Sequence, residues 1–117
     1  MTPRETILAY FRCYKERDKE GLRALLTPDF VHSSPFGRFE DRDLMIETIW
    51  PSVGPIWAEN IEIFGEHPEF MVRYNHAGDA SGRLAEWFRF EGEQIAEIEV
   101  YLGAGAAPAG ESAPNKL

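Results

Sequence analysis

Apolar positions near the start of the chain recur every three or four residues. Ile7, Tyr10, Phe11 and Tyr14 fall on one side of a helix, and Arg4, Arg12, Lys15 and Glu16 on the other. Thr2 and Glu5 have the spacing of a capping box, and Pro3 stands in a first turn that tolerates proline, so the start signal matches the periodicity. Asp18 can cap a second, shorter helix carrying Leu22, Leu25 and Leu26, which Pro28 ends. Residues 30–34 read as a short strand, stopped by the turn signal Pro35-Phe36-Gly37. Asp41 caps a third helix with Leu44, Met45, Ile49 and Trp50, closed by Pro51, Gly54 and Pro55.

Residues 57–64, 70–76, 83–90 and 95–102 are rich in β-branched and aromatic side chains. They are separated by Gly65-Glu66-His67-Pro68, Gly78-Asp79 and Glu91-Gly92-Glu93, which read as hairpin breaks. Helices first and an antiparallel meander later predict an α+β domain. Three helices from the N-terminal half pack on the concave face of a curved antiparallel sheet, over residues 1–103. Residues 104–117 read as a flexible tail without functional candidates.

Two strands alternate clearly enough to assign faces. Phe70, Val72, Tyr74 and His76 share one face of their strand; Leu84, Glu86, Phe88 and Phe90 share one face of the next. Glu86 interrupts an apolar row, so it must be paired, protonated or facing a cavity.

Composition narrows the function. Twelve Lys and Arg against 20 Asp and Glu give a formal charge of −8, which repels a phosphate backbone and an anionic lipid surface alike, so neither nucleic acid nor membrane is an expected partner. The single cysteine, Cys13, excludes an internal disulfide and any CxxC motif. It reads as a buried small hydrophobe, and a cytoplasmic location is the expectation. Three His without HxH or HExxH spacing give no metal motif, and phosphate loops and the GxSxG elbow are absent, so no cofactor is expected. Aromatic residues make up 13% of the chain, more than a small core requires.

Three segments carry a resemblance. They are Tyr10 followed by Asp18, Gly21 and Leu25; Ser34-Pro35-Phe36-Gly37; and Glu86-Trp87-Phe88-Arg89-Phe90-Glu91-Gly92 leading into residues 95–103. In order and spacing they resemble the NTF2-like superfamily, and within it the ketosteroid isomerase and SnoaL-like polyketide cyclase branch. That resemblance implies a cone-shaped α+β fold around a pocket and an oxyanion hole falling on Tyr10 and Glu86. The same family illustrates how an apolar site keeps a carboxylic acid neutral. Its catalytic aspartate falls on Ser34, whose hydroxyl cannot take a proton from carbon unaided.

His32 lies two residues before Ser34, so both side chains share the face that the resemblance assigns to the cavity. It reads as a base or proton shuttle, or as a histidine hydrogen-bonded near a strand end. Glu86 reads as a pocket acid, or as a group satisfied by an arginine, Tyr10 or His32. Tyr14 sits one turn from Tyr10, as a core tyrosine with its hydroxyl at the rim. His67 and His76 read as loop or strand-end residues. The expected catalytic set is His32, Glu86 and Tyr10. Ser34 and Tyr14 contact the ligand, and Trp50, Phe70, Val72 and Phe88 form an apolar wall. The ligand is a small hydrophobic carbonyl or hydroxyl compound, turned over by cofactor-free isomerisation, cyclisation or dehydration, or bound without chemistry. The outward sheet face, with Trp87, Ile95 and Tyr101 among Arg73, Arg83, Arg89, Glu97 and Glu99, has the composition of an interface, and the resemblance implies a homodimer through it.

Overall fold

A computed structural model describes residues 1–53, 58–76 and 83–103. Gly54, Pro55, Trp57, the Gly78-Asp79 break and the tail at 104–117 lie outside the described residues.

Each helix begins at the cap its sequence signals. Helix α1 spans Pro3–Glu16; the Thr2 hydroxyl accepts the Glu5 N–H at 3.1 Å, and the Glu5 carboxylate accepts the Thr2 N–H at 2.7 Å. In α2, Lys19–Leu25, the Asp18 carboxylate accepts the Gly21 N–H at 2.9 Å. In α3, Arg42–Ile49, Asp41 accepts the Leu44 N–H at 2.7 Å, and the chain tightens into a 3₁₀ turn, Trp50–Ser52.

Six strands follow or interleave with the helices: β1 Leu26–Ser34, β2 Gly37–Phe39, β3 Ala58–Glu66, β4 Glu69–His76, β5 Arg83–Glu91 and β6 Gln94–Leu102. They form one sheet in the order β2-β1-β6-β5-β4-β3. The expected meander holds from β3 to β6, but β1 runs parallel to β6, so the sheet is mixed rather than antiparallel. Pro28 does not end the second helix. Strand β1 already begins at Leu26, and Pro28 lies exposed where the β1–β6 register shifts between Leu26 and Val31, a stretch where a missing N–H costs no ladder bond. The short β2 pairs back on β1 directly after the Pro35-Phe36-Gly37 turn.

The core lies between the helices and the inner face of the sheet. Ile7, Leu22, Phe30, Ile46, Phe88 and Ile98 are fully enclosed there. Ile95 corrects the expected outer face, because it is fully buried. A bulge between Arg89 and Phe90 breaks the β5–β6 alternation and turns both Ile95 and Ile98 inward. The rest of that face is polar with exposed rings. Glu62 receives Arg73 and Arg83, Arg89 pairs with Glu97, and Tyr101 and Met71 are exposed. The Trp87 indole N–H donates to Glu69 Oε1 at 3.1 Å.

Candidate functional site

Tyr10 and Tyr14 leave α1 one turn apart, and their hydroxyls lie 3.4 Å from each other in a shared hydrogen bond. The Tyr10 ring meets that of Phe88 edge-on at 5.5 Å between centroids, and beside it Phe11 meets Tyr74 at 4.8 Å. Across the sheet, Val100 of β6 pairs with Glu86 of β5, and His32 of β1 pairs with Ile98 of β6, two residues earlier. Side chains two apart on a strand share a face, so this register brings His32, Val100 and Glu86 to one wall. With β6 between their strands and a two-residue offset along it, the His32 and Glu86 backbones stand about 12 Å apart.

A cavity of about 230 Å³ opens over this wall. Tyr10, Tyr14, His32, Ser34 and Glu86, five of the residues singled out from sequence, line it together with Tyr74, Phe11, Ile49, Val53 and Val100. The apolar side is therefore built differently from the expected wall. Val72 and Phe88 are sealed in the core and Phe70 packs on Phe90; none of the three lines the cavity. Trp50 stands behind the lining, its ring 6.1 Å from that of Tyr14.

Glu86 is 4% exposed, and burial pushes its carboxyl up to about 7 against the pull of a hydrogen bond from Tyr74. The Tyr74 hydroxyl donates to Oε2 in a short contact, while Oε1 has no hydrogen-bond partner among the described residues. The partner of Glu86 is thus Tyr74, not an arginine, Tyr10 or His32. Burial also raises the hydroxyls of Tyr10, Tyr14 and Tyr74, and the nearby Glu86 charge pushes each the same way, so all three stay protonated donors at neutral pH. Burial lowers the His32 pKa, which keeps its ring neutral and able to accept a proton. His32 has no hydrogen-bond partner among the described residues; its ring lies 6.3 Å from that of Phe30. Ser34 Oγ accepts the Phe36 N–H at 3.1 Å and so holds the following turn.

One corner of the cavity is pinned from outside. Arg17 ends α1 in the left-handed conformation, donates to the Val53 carbonyl and, at 3.3 Å, to that of Trp50, and lays its guanidinium 4.8 Å from the Trp50 ring centroid. The wall residues Ile49 and Val53 bracket that turn.

Tyr74 is the polar site residue that sequence reasoning did not single out. Its inward face was legible from alternation. Its closeness to Glu86 depends on the β4–β5 register, in which Val72 pairs with Glu86 and Tyr74 with Leu84, and residues 77–82 between the strands are too many to fix that register by a turn type. Cys13 is buried, in line with its reading as a small hydrophobe. His67 is exposed, its Nε2 2.9 Å from the Gly92 carbonyl, and His76 is half-buried at the end of β4. Among the described residues no three His, Cys, Asp or Glu side chains come together as metal ligands, and no helix is long and apolar enough to cross a membrane.

No curated protein matches the chain. Among solved structures, an NTF2-like protein of unknown function from Cytophaga hutchinsonii superposes with a TM-score of 0.73 at 15% identity, over 87% of this chain and 90% of that one. A candidate polyketide cyclase from Pseudomonas putida gives 0.72 at 16% identity, over 86% and 91%; another from Sinorhizobium meliloti gives 0.70 at 19%, over 83% and 94%. At such identities the likeness is one of fold. The family model of the SnoaL-like domain matches residues 7–98, from the middle of α1 into β6 and so across every element that lines the cavity. The chain therefore belongs to the SnoaL-like domain family, within the NTF2-like superfamily.

Proposed function

We propose that the cavity binds a small, largely hydrophobic molecule bearing a carbonyl or hydroxyl, and that its side chains perform cofactor-free acid–base chemistry on it. The observation that carries this reading is Glu86: a buried carboxyl on the cavity wall, one oxygen held by Tyr74 and the other without a partner among the described residues. A polar ligand atom supplies that partner. With its pKa near neutrality, Glu86 is populated as the acid and donates to a carbonyl oxygen.

Neutral His32, across the cavity, accepts the proton from the carbon next to that carbonyl. The electron pair moves to oxygen as an enol, stabilised by Glu86 and by the Tyr10–Tyr14 hydroxyl pair. Return of the proton at another carbon is an isomerisation; attack of the enol carbon on a second carbonyl, whose π pair takes the proton back from His32 while the enol oxygen returns its proton to Glu86, is a cyclisation. The names of the Pseudomonas and Sinorhizobium neighbours agree with the latter. A cavity of about 230 Å³ lies below the usual ligand-site range of about 300–1,000 Å³, so the reacting part is a single ring or its open-chain equivalent.

One observation favours a second reading, a binding protein without chemistry. Ser34 stands where the resemblance puts the aspartate base, and its oxygen is spent on the Phe36 amide. Proton–deuteron exchange on cyclic ketones separates the two readings. Loss of catalysed exchange in His32→Ala and Glu86→Gln supports catalysis, and exchange unchanged in both removes it. Two further parts of the reading are a homodimer through the outer sheet face, testable by sedimentation, and a cytoplasmic location, consistent with the lone cysteine.

A further inference from the structure

A second cavity, of about 200 Å³, lies between α3 and the β1–β2 hairpin. It shares His32, Ser34 and Ile49 with the first, so these three residues border both chambers. Their chemistry differs. The inner chamber carries the acid and three tyrosine hydroxyls; beyond His32 and Ser34 the outer one offers Phe36, Phe39, Met45 and the bare backbone of Gly37, with no charged side chain. Phe36 is 63% exposed at the tip of the hairpin, where no packing within the described chain accounts for it. It forms one rim of the outer chamber, where an apolar group lying in that chamber covers it.

We infer that the ligand is a two-part molecule: a polar ring or acyl head in the Glu86 chamber, joined at the His32–Ser34–Ile49 constriction to an unbranched or aryl apolar arm in the α3–hairpin chamber. The inference rests on the binding reading above and adds the class of molecule to it. A head alone leaves the outer chamber and Phe36 wet, and an arm alone leaves Glu86 Oε1 unpartnered. A compound that fills both removes both costs. Ile49, on both chambers, sets how thick the joint can be.

Cyclohexanone and its 4-methyl to 4-butyl homologues test this with the intact chain, using the ¹³C-methyl signals of its three methionines as position markers. Affinity is expected to rise about fourfold per methylene over the first members, the gain for burying each CH₂. The Met45 methyl is expected to shift with the alkylated ketones and not with cyclohexanone, while Met71 on the outer sheet face stays still. Phe36→Ala is expected to flatten the rise, and Phe39→Trp, which fills the outer chamber, to cut off its longest members. Failure of cyclohexanone itself to bind defeats the underlying reading and this inference with it. Binding of cyclohexanone with a flat series, with a slope unchanged in both variants, or with Met71 shifting as much as Met45, overturns the two-chamber inference alone.

Discussion

Replacing Glu86 with glutamine removes an ionisable group and keeps its shape and its ability to accept from Tyr74. In the native chain, burial holds the carboxyl at about 7 against an ordinary 4.5, so the folded state keeps a proton that the unfolded chain has released. Between those two values folded Glu86 binds more protons than unfolded Glu86, and its contribution to stability falls as pH rises, reaching its floor just above 7. Each tenfold in proton affinity is about 1.4 kcal/mol, so the penalty at pH 8 is ~3 kcal/mol relative to pH 4. His32 acts in the opposite direction: its lowered pKa costs stability as pH falls below 6.5. Raw stability curves therefore mix two trends, and the difference between wild type and Glu86→Gln isolates one. Urea unfolding at steps between about pH 5 and pH 8 supplies that difference. The variant is expected to gain on wild type progressively, ending ~2–3 kcal/mol ahead at the alkaline end. Two profiles that run parallel across this range refute the assignment of a buried, proton-holding carboxyl.

Other expectations follow from individual contacts. Tyr74→Phe removes the hydrogen bond that draws the Glu86 pKa down, so the carboxyl carbon-13 titration of Glu86 is expected to move to higher pH. Phe88→Ala empties a fully enclosed site against Tyr10 and Phe11 and is expected to cost about 3–5 kcal/mol in denaturant unfolding; a loss below 1 kcal/mol contradicts the packing described. Thr2→Ala is expected to cost about 1 kcal/mol through the lost capping box, seen as faster amide exchange at Glu5. Arg17→Ala is expected to loosen the Trp50–Ser52 turn, shifting the Trp50 indole NMR signal and costing about 1–2 kcal/mol, while lysine restores part of the loss; an unmoved indole signal rejects the clamp.

What could be read from sequence was local. The caps Thr2, Asp18 and Asp41 act within three residues and are all in place. Alternation assigned the inner faces of β4 and β5 because no bulge interrupts their pairing. It failed at Ile95, where a bulge changes parity, and the proline rule failed at Pro28, which a register shift makes harmless. The site divides the same way. Tyr10, Tyr14, His32, Ser34 and Glu86 were placed through a family pattern together with face assignment. Tyr74 and the Ile49–Val53 wall depend on long-range register and on where α3 docks, which no short-range signal records.

The parallel pairing of β1 with β6 has a consequence for how the site comes into being. His32 and Glu86 are 54 residues apart in sequence, and the strand that joins theirs is the last of the six to be synthesised. Helices and hairpins can form from near neighbours, but the wall that carries both groups exists only after β6 has slid between β1 and β5. Such high-contact-order closure is slow compared with local structure. A growing chain thus carries His32 and Glu86 on separate halves, and the docking of β6 is the step that brings them to one wall.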